Sequence, residues 1–137
     1  MSKSAPEGCV FLMEKPEDIA RKFKRAVTDS DTENCVRYDP ENKPGVSNLI
    51  NIYAAVTGKS TGEVESEFEG QGYGKFKSAV GEAVIELLRP IREEKERILG
   101  DKAYLESVYK NGAERASYVA EKTLRKVYKK IGFVPRT

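Results

Sequence analysis

The sequence KFKSAVGEAVIELLRPIREEKERIL, residues 75–99, repeats its apolar side chains at helical spacing. Phe76, Val80, Ala83, Val84, Leu87, Leu88 and Ile91 recur at intervals of three, four and seven, which puts them on one face of a helix. Charged residues hold most of the other positions, as a helix with one solvated face requires. Pro90 lies inside the pattern and is expected to kink the helix or split it.

Reading outward from this stretch gives the remaining elements. On its C-terminal side Gly100 and Asp101 end one helix and cap the next. The pattern predicts a helix over Lys102–Lys110, a break at Asn111-Gly112, and a last helix over Ala113–Ile131. Ala116, Val119, Ala120, Thr123, Leu124, Val127 and Ile131 form its stripe; Gly132 and Pro135 stop it. On the N-terminal side GQGYG reads as a flexible connection. Ser60 and Glu63 carry the spacing of a capping box, which opens a short acidic helix ending near Gly70. Val46–Thr57 reads as a helix with Leu49, Ile52, Tyr53 and Val56 on one face and Gly58 as its C-terminal cap. Residues 28–45 are polar, turn-rich and unusually long for a connection inside a compact domain. Before them, Pro16 opens a helix with Glu17 and Asp18 in its first turn and basic residues in its last, the order a helix dipole favours. Ile19, Phe23 and Val27 are its expected stripe. The first 15 residues look irregular, with a short strand or core-inserting stub over Cys9–Met13. Strand signals are otherwise nearly absent, so the expected fold class is all-α, an irregular bundle of five or six helices.

Composition narrows the chemistry. The 137 residues include no His. That excludes Ser-His-Asp and Cys-His catalysis, a His general base and any zinc site with His ligands. Cys9 and Cys35 form no CxxC pair, and two lone thiols in a lysine-rich chain suit a reduced, cytoplasmic setting, with a structural disulfide the other option. No apolar run approaches the roughly 18 residues of a membrane span, and the N-terminus has no secretion-signal pattern.

The net charge of +2 says little, but its distribution says more. Arg21, Lys22, Lys24 and Arg25 cluster at the end of the first helix. Lys122, Arg125, Lys126, Lys129, Lys130 and Arg136 stand against Glu121 alone near the C-terminus, while Glu63, Glu65, Glu67 and Glu69 gather elsewhere. Such segregation suits one face toward a polyanion; a plain solvated helix face is the other reading. In the long polar segment, Asp29, Asp31, Arg37, Tyr38, Asp39 and Lys43 offer acceptors, donors and a stacking ring for exposed bases. Their spacing matches no calcium loop, and no metal site is expected. A third feature is Met1-Ser2-Lys3-Ser4, a lysine between two hydroxyls that could hold phosphate oxygens.

These features recur in order along one known family. MSKS followed by Pro6, then RAVTDS, RYDPENKPGVSNLINIY, GYGKFK, VIELLRPIRE and GAERASYVAEKTLRKV together cover nearly the whole chain. The chain closely resembles the C-terminal part of bacterial-type tryptophanyl-tRNA synthetases, with the tyrosyl enzymes as the nearest relatives of the same architecture. The resemblance implies that Ser2, Lys3 and Ser4 are the end of the KMSKS loop at the ATP site, with Lys3 stabilising the departing pyrophosphate. It implies a division into residues 1–15, the loop's tail and linker, and residues 16–137, a helical anticodon-binding domain. The family's HIGH motif contains histidine, so the catalytic Rossmann domain is missing from this chain. ATP and magnesium belong to the parent tryptophan–tRNA ligase; none is expected bound here, and the chain alone is expected to be inactive. The expected partner is the anticodon loop of tRNA(Trp), whose CCA suits a carboxylate reader at Asp29 or Asp31. Lys24, Arg25, Arg125 and Lys126 are expected on phosphates. The family enzymes are homodimers through the missing half, so this chain is expected to be monomeric, with no membrane association. Residues 2–7 are expected to be mobile without that half. Two other classes stay open at this stage: a stand-alone helical RNA-binding module, and a helical protein-interaction domain.

Overall fold

The computed structural model describes residues 6–29 and 35–134. The expectations for residues 2–5 therefore lie outside the described residues, and Pro6–Gly8 form a 3-10 turn. Five α-helices follow: α1 (Pro16–Arg25), α2 (Pro44–Thr57), α3 (Thr61–Glu67), α4 (Gly72–Gly100) and α5 (Lys102–Ile131). No strand occurs among the described residues, so the all-α class is borne out. The chain forms two compact units, residues 1–93 and 94–137.

The first unit holds the core. Ile19 and Phe23 from α1, Val46, Leu49, Ile50 and Tyr53 from α2, Val64 from α3 and Phe68 just after it meet Tyr73, Phe76, Val80, Val84 and Leu88 of α4. Tyr53, Phe68 and Phe76 make edge-on ring contacts, with centroids 5.3 Å (Tyr53–Phe68) and 5.0 Å (Phe68–Phe76) apart. Val36, from the polar segment, inserts into the same core. Gly81 lets α1 approach α4 closely: a Cβ there would sit 3.3 Å from the Cβ of Phe23.

Helix ends follow local chemistry. The Ser60 side chain accepts from the Glu63 N–H while the Glu63 carboxylate accepts from the Ser60 N–H, a complete capping box. Gly58 closes α2 and Gly132 closes α5 in the left-handed conformation, with φ of 74° and 76°. Asp101 caps α5 by accepting from the Tyr104 N–H at 2.9 Å.

Three expectations need correction, and a fourth is narrowed. Of the two outcomes expected at Pro90, a kink or a split, the split does not occur: α4 continues to Gly100. Proline removes one N–H from the ladder, and close by the Arg92 guanidinium donates to the Ile85 carbonyl at 2.9 Å. Asn111-Gly112 does not break α5. One glycine costs a helix about 1 kcal/mol relative to alanine, too little to end a run flanked by good helix formers. GQGYG is no free connection: α4 begins at Gly72, and Tyr73 is buried. Finally, α1 stops at Arg25, and Val27 is exposed instead of completing the stripe.

In the second unit the end of α4 and the 30-residue α5 carry charge on their surfaces, and no residue of α5 is buried. No helix among the described residues is long and apolar enough to cross a membrane.

Candidate nucleic-acid interface

Residues 6–15 are held onto α1. The Lys22 ammonium donates to the Cys9 carbonyl at 2.7 Å and lies 2.6 Å from a Glu14 oxygen. The Phe11 N–H donates to the same carboxylate at 3.0 Å. Burial pushes the Glu14 carboxyl up, but Lys22 and that N–H outweigh it, and the net displacement is downward. Val10 packs against the core.

Lys24 and Arg25 end α1 with their side chains exposed. The partial negative charge of a helix C-terminus favours cations there. Beyond them the chain turns extended at Ala26 and reaches Asp29. Asp29 points inward. Its two oxygens lie 2.8 and 3.0 Å from the Tyr73 hydroxyl and one lies 3.3 Å from the Lys43 ammonium. Lys43 also donates to the Tyr73 oxygen at 2.9 Å and lies over its ring. The sequence reading put Lys43 among the groups facing solvent; the structure buries it, 5% exposed. A buried ammonium is tolerable only when paired and hydrogen-bonded, and Asp29 and Tyr73 supply that. Burial pushes the Tyr73 hydroxyl up in pKa; the Asp29 carboxylate adds to this and Lys43 opposes it.

Residues 35–43 are tied down in turn. The Tyr73 hydroxyl lies 3.1 Å from the Cys35 carbonyl, the Tyr38 N–H donates to Glu65 at 2.7 Å, and the Asp39 N–H donates to the Ser47 hydroxyl at 2.9 Å. The Asp39 carboxylate accepts from the Asn42 side chain and N–H, which holds its pKa below the ordinary value. Arg37 and Tyr38 remain exposed. Asp31 lies outside the described residues, as do Ser2, Lys3 and Ser4.

Within the second unit, Lys122, Arg125, Lys126, Lys129 and Lys130 are exposed along α5. Arg125 pairs with Glu121 at 3.3 Å across one turn. Such an exposed pair is worth about 0.3–0.5 kcal/mol, so it leaves the cation available to a stronger anion.

Tyr73 is the residue that sequence reasoning missed. Its signal was present: the interval of three to Phe76 and of seven to Val80 extends the α4 stripe backward through the glycines.

The sequence and the all-α scaffold match a known family. The model of the class I tRNA synthetases (W and Y) covers residues 1–89. The chain belongs to that family. Curated relatives include the tryptophan–tRNA ligase of Clostridium tetani, 52% identical over 98% of this chain and 39% of its own length. Another is tryptophan–tRNA ligase 2 of Streptomyces avermitilis, 43% identical over 98% of this chain and 40% of its own length. The crystal structure of tryptophanyl-tRNA synthetase from Mycoplasma pneumoniae superposes with a TM-score of 0.61 at 26% identity, over 97% of this chain and 40% of that one. The resemblance to the tryptophanyl branch is thus borne out, and the chain spans about two-fifths of the length of the relatives it matches.

Proposed function

We propose that this chain is the anticodon-binding part of a tryptophan–tRNA ligase together with the end of its KMSKS loop. The observation that carries this is identity of 52% to a tryptophan–tRNA ligase across 98% of the chain. The division at residue 15 belongs to the same proposal, with residues 16–137 as the RNA-binding part.

The chemistry agrees. Sequence-specific readout of RNA is physically possible where bases are unstacked, as in an anticodon loop. Lys24, Arg25, Arg125 and Lys126 are exposed cations suited to phosphate oxygens. Of the two carboxylates in the segment after α1, Asp29 is turned onto Tyr73 and Lys43, which leaves Asp31 as the one proposed to accept from the cytosine N4 amino group. ATP, with magnesium, is a substrate of the whole enzyme; Ser2, Lys3 and Ser4 are proposed to close on its phosphates, with Lys3 countering charge on the departing pyrophosphate. The histidine-containing motif that cradles ATP in this family has no counterpart in a chain without His. The isolated chain is therefore proposed to bind RNA, to be inactive in tryptophan activation, and to be monomeric.

The test is titration with a CCA anticodon stem-loop, and with a GUA loop as control, at two salt concentrations. Preference for CCA that survives moderate salt supports the reading. Equal binding that salt erases overturns specific anticodon reading and leaves only a polyanion surface.

A further inference from the structure

We propose that Tyr73 is a positioning residue for the reading of RNA, acting through Asp29 and Lys43. The inference rests on the anticodon-binding reading above. One hydroxyl, on the first turn of α4, meets both the Asp29 carboxylate and the Cys35 carbonyl. Asp29 stands four positions after Arg25 at the end of α1, and Cys35 two before Arg37. The Tyr73 oxygen thereby fixes the exposed cations at the end of α1 relative to exposed Arg37 and Tyr38. These are the groups of the first unit best suited to phosphates and bases.

The ionic partner points the same way. A buried lysine with a carboxylate and a phenol is weak evidence for stability, because apolar side chains of similar volume often serve as well. Its value lies in geometry: Lys43 has good partners in one arrangement, with Asp29 at 3.3 Å and the Tyr73 oxygen at 2.9 Å. Both Asp29 oxygens lie within hydrogen-bonding distance of the one Tyr73 hydroxyl, and one of them also accepts from Lys43. That assigns its carboxylate to holding the segment.

The experiment compares the full chain with Tyr73→Phe, which keeps the ring and deletes the hydroxyl. Binding of CCA and GUA stem-loops is titrated for both, with thermal melts alongside. Leu88→Ala, about 22 Å along α4 from Tyr73, supplies a chain destabilised away from the segment. Asp29→Asn is the second variant, should Tyr73→Phe fold poorly. The expected result is loss of about tenfold in the CCA-over-GUA ratio for Tyr73→Phe, the size expected for a hydrogen bond to a charged group. Leu88→Ala keeps the ratio. Asp29→Asn also lowers the ratio, and Tyr73→Phe adds little on top of it. A wild-type chain that discriminates while Tyr73→Phe and Asp29→Asn discriminate equally well overturns the positioning role and leaves anticodon reading standing. A wild-type chain without preference overturns the anticodon reading, and the positioning role falls with it.

Discussion

The ammonium of Lys22 lies 2.6 Å from a carboxylate oxygen of Glu14, and the same ammonium donates to the carbonyl of Cys9. One side chain of α1 thus holds both ends of the Cys9–Glu14 segment. Lys22→Met is expected to release that segment and leave the core intact. Limited proteolysis should cut Lys22→Met between Gly8 and Lys15 well before wild type, with the helical circular dichroism unchanged.

The pH dependence of this clasp has a definite sign. The Glu14 carboxyl titrates below its ordinary 4.5 in the folded chain. Its contribution is therefore present above 4.5 and is lost as pH falls through the depressed value. The amide resonance of Phe11, whose N–H donates to Glu14, is expected to shift with a midpoint below 4.5. In Lys22→Met that midpoint should move upward.

Two glycines near helix starts separate space from conformation. A Cβ on Gly45 would meet the Val27 carbonyl oxygen inside van der Waals contact, whereas nothing lies within 4 Å of a Cβ on Gly62. Gly45→Ala is expected to cost about 2 kcal/mol by overpacking. Gly62→Ala should be neutral or stabilise by up to about 1 kcal/mol. Urea unfolding of both variants measures the difference.

Ser60→Ala removes half of the capping box and should cost about 1 kcal/mol. Donation from the Ser60 N–H and hydroxyl holds Glu63 below its ordinary 4.5. In Ser60→Ala the Glu63 titration is expected to move up toward that value, which a carboxyl-carbon resonance reports. The Ser60 N–H still donates in that variant, so the move is partial; a titration unchanged by the substitution would contradict the separate bond from the Ser60 hydroxyl to Glu63.

Lys126→Ala is expected to weaken CCA and GUA loops alike and to reduce the salt slope of log K by about 1. In the same preparation no tryptophan-dependent pyrophosphate exchange is expected. Exchange above background would contradict the proposed inactivity of the isolated chain.

The helices were legible where local chemistry and packing agree. Ser60 and Glu63, Gly58, Gly132 and Asp101 read correctly as caps because each acts within a few residues of itself. The core face of α4 through Phe76, Val80, Val84 and Leu88 was legible from its spacing, although Leu87 and Ile91 of the expected stripe are exposed. Single breaker residues were weaker signals. Gly112 does not end α5 and Pro90 does not split α4: each costs a helix local energy, but the surrounding turns outweigh that cost. The burial of Tyr73 was legible from its spacing to Phe76 and Val80, but the contacts of Tyr73 and Lys43 were not. Their partners are 44 and 14 positions away, at Asp29, and no pattern along the chain reports a contact that only the fold brings together.

Among the described residues, every buried one lies at or before Leu88, and the match to the family model ends at residue 89 although the relatives match beyond it. For inheritance this means that two selective pressures act on one gene product. Up to that point a substitution is judged by whether it fits its neighbours. Beyond it no buried neighbour constrains the residue, so α5 is expected to drift in sequence more readily than the core helices. Lineages are then expected to differ most after Pro90.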